Sequence, residues 1–198
     1  MSRTLFAQIL SAWVDPRAEM ERQLAAGHGE PRALMYVMLA GVMVFITGLP
    51  SALYDNLQAG APYEPSGIAT SWLITAVAFM TLLRYLVAVI ARWVAKPFGG
   101  KGTHFTARLA FFWSSLAVAP ALIVSGSVAG VAYATGNVVL LWLADITGIA
   151  AQFLLLWLWV RAVEAAEGFE RVLPAAGVVA LTLLVLALLI GIPVYATL

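Results

Sequence analysis

Cysteine is absent from this 198-residue chain, which removes disulfides, thiolate metal sites and cysteine nucleophiles together. Histidine is nearly absent. His28 and His104 are the two, and both lie outside the long apolar stretches. A zincin needs two histidines on one helix face, and intramembrane serine hydrolysis needs a histidine base beside its nucleophile. Neither set can be assembled here. Charge is scarce as well: 11% of residues are charged against 63% hydrophobic, with a mean hydropathy of +0.94. A soluble domain runs nearer half apolar and about a quarter charged, so most of this chain must meet lipid rather than water. No Walker or dinucleotide fingerprint occurs, since Gly99-Gly100-Lys101-Gly102-Thr103 lacks the P-loop spacing and follows no strand. The composition therefore predicts a non-enzymatic chain without cofactor or metal. A formal net charge of +1 gives no reason to expect a nucleic-acid partner.

What the sequence has in abundance is apolar length. Spanning takes roughly 20 residues at about 1.5 Å each, and five stretches qualify: about Ala33 to Leu53, Trp72 to Trp93, Phe105 to Ala132, Asn137 to Val160 and Leu173 to Ala196. The fold expected is all-α, a polytopic transmembrane helical bundle. Residues 1–32 form an amphipathic N-terminal segment and 33–198 the membrane domain. In that segment Leu5, Phe6, Ile9, Trp13 and Val14 share one helical side, and the run ends in Asp15, Pro16 and Arg17 instead of a cleavage site. It reads either as a helix lying in the headgroups or as one docked on the membrane domain.

The cations sort to one side. Arg3, Arg17, Arg22 and Arg32 precede the first span, Arg92, Lys96, Lys101 and Arg108 surround the second loop, and Arg161 and Arg171 flank the fourth. The first loop, the third loop and the C-terminus carry none. Cytoplasmic enrichment of Lys and Arg orients such proteins, so the N-terminus is expected inside and the C-terminus outside. Trp72 and Trp93, about 31 Å apart along a helix, match the two interfaces of the hydrocarbon slab.

Two ionisable residues fall inside spans, where such groups are functional candidates. Arg84 and Asp145 sit on spans running the same way, about 8 Å apart in depth. They form either a pair or two independent groups, Arg84 snorkelling and Asp145 bonded to hydroxyls or protonated. Gly126 and Gly130 make a GxxxG, whose missing side chains let helices approach closely, for self-association or for packing inside the bundle. Pro50, Pro120 and Pro193 invite kinks. Glu164, Glu167, Glu170 and Arg171 superficially resemble the glutamate-rich motif of CAAX-type membrane proteases. Without intramembrane histidines they read instead as a solvated helix end.

The glycine loop lets the chain turn sharply. Its freed amides, with Arg92, Lys96, Lys101 and Arg108 nearby, form a candidate site for an anionic headgroup through Gly99, Gly100 and Gly102. Topology setting by positive charge is the plainer reading. Phe98-Gly99-Gly100-Lys101-Gly102-Thr103, followed by Leu109, Phe111, Phe112, Trp113 and Pro120, resembles the second-loop and third-span signature of the Yip family. These are the Ypt/Rab-interacting membrane proteins of Yip1-domain type, and the likeness is to their bacterial branch. The resemblance implies about five spans and a cytoplasmic N-terminus. The Asp-Leu-x-Gly-Pro motif of eukaryotic members is missing, and Phe112-Trp113 stands where they carry Gly-Tyr, so GTPase binding is not carried over. What the resemblance implies is a scaffold or adaptor in membrane organisation, in a bacterial inner membrane, meeting lipids and a protein partner or a second copy. The alternative is a small transporter or channel subunit with a polar path past Arg84 and Asp145.

Overall fold

The computed structural model describes residues 4–27, 29–60 and 63–196, with side chains as far as residue 189. Arg3, His28, Pro62 and the C-terminal residue lie outside the described residues, and the Pro193 side chain lies outside the described side chains. The described chain is helical throughout, without strands. Two short helices, α1 (Leu5–Val14) and α2 (Pro16–Ala25), precede α3 (Glu30–Gln58). The second span is α4 (Pro65–Leu73), a π-helical segment Ile74–Phe79 and α5 (Met80–Ala95), ending in a 3₁₀ turn at Lys96–Phe98. The third is α6 (His104–Ala117) and α7 (Ala119–Thr135), and the fourth and fifth are α8 (Val138–Glu167) and α9 (Val172–Ala196). Five helical segments are long and apolar enough to cross a membrane. At roughly 1.5 Å per residue most outrun the hydrocarbon slab. At one end α2, the start of α3, the 96–103 loop and the end of α8 meet; this is the basic end below.

Local chemistry places the helix starts and interruptions. Asp15 ends α1 and caps α2, its carboxylate accepting from the Ala18 amide at 3.0 Å, with Pro16 as first helical residue. Thr103 and Thr106 form a reciprocal capping box at the start of α6. In the second span the hydroxyls of Thr70 and Thr75 bond back to Ser66 and Ser71 carbonyls. The ladder widens to the π form over Ile74–Phe79. The third span is broken at Val118, two residues before Pro120, one of the prolines expected to invite a kink. Pro120 has no amide to donate, and the Ala121 amide turns to Val118 O at 3.0 Å instead of Ala117 O.

Small residues set the closest helix contacts. A Cβ on Gly126 would come within 2.7 Å of Thr47, so α7 presses on α3 at that point. A Cβ on Gly41 would stand 2.9 Å from Ala76 O, and Gly48 sits under the Trp72 ring, whose indole donates to Phe45 O at 3.2 Å. Trp72 thus ties helix to helix, while Trp93 is exposed. The half nearer the basic end is packed with aromatics: Tyr36 on Trp113, Tyr85 on Phe112 and Phe111 on Trp159, at centroid distances of 5.0, 4.8 and 4.6 Å.

Gly126→Ala is expected to cost about 1–3 kcal/mol by overpacking against Thr47. Gly130→Ala, whose Cβ would stand 3.7 Å from Pro50 in ordinary contact, should shift stability by less than about 0.5 kcal/mol. Unfolding of the purified variants in detergent reads both, and equal losses would deny Gly126 its role in close packing.

Candidate functional site at the basic end and the intramembrane cavity

Glu164 and Glu167 stand one turn apart at the C-terminus of α8. Carboxylates oppose the helix dipole at that end, so they need cations from elsewhere. The structure supplies them. Arg17 of α2 donates to Glu164 Oε1 at 2.6 Å, and Arg161 pairs with the other oxygen. Arg92 of α5 donates to Glu167 Oε2 at 2.8 Å, and the Gly102 amide adds a bond to the same oxygen at 3.0 Å. Lys101 N reaches Glu167 O at 2.9 Å, and Arg92 also holds Gly100 O at 3.3 Å. Each glutamate is 2% exposed. The expectation of a solvated acidic helix end is therefore corrected for these two; Glu170 and Arg171 alone keep to the surface.

The glycine loop is rebuilt by the same contacts. Gly99 turns with φ +83°, a conformation that suits glycine. A Cβ on Gly100 would fall 2.5 Å from Glu167 Oε2, and one on Gly102 2.5 Å from Ala166 O and 2.8 Å from Glu167 Oε2. The anion against this loop is a side chain of the protein itself. Of the residues expected to meet a headgroup, Arg92, Gly100 and Gly102 are engaged with Glu167, and Arg108 pairs with Glu30 and lies over Tyr85. Lys96, Gly99 and Lys101 face outward.

The N-terminal hairpin docks on this platform. Arg32 donates to the Tyr36 hydroxyl at 2.9 Å, Tyr36 donates to Gln23 at 2.8 Å, and Gln23 donates to buried Glu19 at 3.1 Å. The Trp13 indole donates to Ala117 O at 2.7 Å, meeting the carbonyl that the break at Val118 leaves without its usual helical donor. Ile9 and Ala12 turn inward while Phe6, Leu10 and Val14 turn out. The helix is docked and still presents an apolar face.

Arg84 and Asp145 do not pair, since no ion pair joins them among the described residues. They line one cavity of about 860 Å³ in the half of the bundle away from the basic end, together with Ser115, Ser125, Tyr133 and Gln152. The GxxxG pair lies along α3 instead, Gly126 at Thr47 and Gly130 at Pro50. Sequence reasoning missed the Glu164–Glu167 cluster and the docking of α2. The available signal was two carboxylates at a helix C-terminus among alanines and valines.

Replacing Glu167 by Gln leaves Arg92 without its counter-charge, and a loss of about 3–5 kcal/mol is expected for removing one partner of a buried pair. Glu170→Gln on the surface should stay within about 0.5 kcal/mol of the parent. Comparable losses in detergent unfolding of the two variants would show that Glu167 does not hold the loop.

No curated protein and no solved structure matches the chain. The family model of the Yip1 domain matches residues 10–192, from within α1 almost to the end of α9. Nearly the whole chain is covered, five membrane-length helices included. The chain belongs to the Yip1-domain family of membrane proteins.

Proposed function

We propose that this protein is a non-enzymatic membrane scaffold or adaptor whose basic end meets anionic headgroups and a protein partner. The observation that carries the reading is the sorting of charge. Glu19, Glu164 and Glu167 are turned inward onto arginines, while Lys96, Lys101 and Arg171 are exposed and form no ion pair among the described residues. A surface built this way attracts anions, because its own carboxylates are already occupied. The opposite end supports the same orientation: Asp55 and Glu64 lie there, and no Lys or Arg does. The cation bias supports a cytoplasmic basic end, facing the leaflet where anionic lipids concentrate. The family resemblance in the 98–120 region favours a bacterial inner membrane.

A transporter or channel path past Arg84 and Asp145 draws on the cavity and on the interruptions at 74–79 and Val118, since broken helices often mark such sites. Against it stands the aromatic layer. On α3, α5 and α8 the residues Tyr36, Tyr85 and Trp159 lie between the cavity lining and the basic end. A packed aromatic layer on that side of the cavity favours the adaptor.

Two measurements test the proposal. A membrane-impermeant label should reach a cysteine introduced at Lys101 only from the cytoplasmic side, and one at Tyr63 only from the other side. The reverse pattern would overturn the orientation. Mild-detergent purification should yield a second protein in fixed proportion, and the triple variant Lys96→Gln, Lys101→Gln, Arg171→Gln should release at least about tenfold more of it, as expected for losing several charge contacts of about 0.5–1 kcal/mol each. A partner held equally by parent and triple variant would remove the basic surface from the proposal, and so would a chain that purifies alone.

A further inference from the structure

The cavity holds opposite charges that do not neutralise each other. One terminal nitrogen of Arg84, Nη1, is buried without an acceptor. Asp145 lines the same space with neither a hydrogen bond nor an ion pair among the described residues. A buried guanidinium nitrogen without a partner is destabilising, so a group that supplies an acceptor there stabilises the folded chain. A simple anion near Arg84 would meet repulsion from Asp145, and a simple cation near Asp145 repulsion from Arg84. The complementary occupant carries both signs.

The remaining walls narrow the choice. Ser115 and Ser125 already donate their hydroxyl hydrogens, to Phe111 O at 2.8 Å and Ala144 O at 3.3 Å. Their oxygens are left as acceptors, suited to an ammonium. Gln152 is exposed within the lining and offers an amide donor for an oxyanion. Trp142 and Ile149 line the cavity and are themselves largely exposed, so its rim is apolar and lies on the flank that lipid covers. The volume is that of a site for a ligand of several hundred daltons. From these contacts we infer that the cavity binds a zwitterionic phospholipid from the bilayer, its phosphate on Arg84 and its amine on Asp145. The shared chemistry is an amine joined to a phosphate, which a soluble phosphoethanolamine also carries; the apolar rim selects the lipid.

Native mass spectrometry of the delipidated full chain in detergent tests this, titrated in turn with phosphatidylethanolamine, phosphatidylglycerol and free phosphoethanolamine. Phosphatidylethanolamine is expected to bind at least about tenfold more tightly than phosphatidylglycerol, the difference one charge-assisted contact makes. Arg84→Gln should weaken it by about tenfold or more, with Arg84→Lys retaining part of the affinity. Asp145→Asn, at an exposed side chain with no hydrogen bond or ion pair among the described residues, should keep binding but lose the preference between the two lipids. If Arg84→Gln fails to fold, Arg84→Lys and Asp145→Asn decide. Equal binding of both lipids by the parent would overturn the site, as would an unchanged preference in Asp145→Asn. Binding of free phosphoethanolamine without binding of the lipid would overturn the bilayer as its source.

Discussion

A carboxylate removed from water must find donors, and at the basic end of this bundle Glu167 finds them on two other segments of chain at once. Its side chain binds the guanidinium of Arg92 from the second span and the Gly102 amide from the loop, while its own carbonyl takes the Lys101 amide. The fourth span, the second span and the loop before the third are thereby held in one arrangement. Glu164, a turn earlier, does the same for the N-terminal hairpin through Arg17. Buried ion pairs are weak sources of net stability but strong penalties against wrong arrangements. Here they specify how the ends of apolar helices meet, where apolar packing alone discriminates poorly.

From that clamp the other features follow in order. The aromatic layer fills the space directly beneath it, and the small residues Gly41, Gly48 and Gly126 draw the remaining helices together farther along. Where the π segment and the break at Val118 disturb the ladders, helices do not fill the interior, and the cavity with Arg84 and Asp145 lies there. One end is tied by ion pairs, and the other half holds a cavity with polar groups among its apolar walls.

The number of spans was legible because hydrocarbon thickness converts directly into a length of apolar sequence, and the family was legible in the loop and third span around Phe98 to Pro120. The one-sided placement of cations was equally plain, since it is a property of position along the chain. Less legible were the interruptions. Pro120 announced its break, whereas nothing in the sequence marks the π segment: the hydroxyl back-bond of Thr75 is one that Thr47, Thr147 and Thr182 also make in regular α-helix.

What the sequence determined by itself is what depends on neighbours in the chain: helix, span, capping and the sorting of charge. What tertiary structure alone decided is which group answers which. Arg92 and Glu167 are 75 positions apart, and no local rule says that the glycine loop will close on that carboxylate rather than on a phosphate. Nor does composition say that Arg84 and Asp145 will share a cavity without touching. Coulomb attraction and hydrogen bonding act through space over a few ångströms, so their partners exist only once the helices have packed.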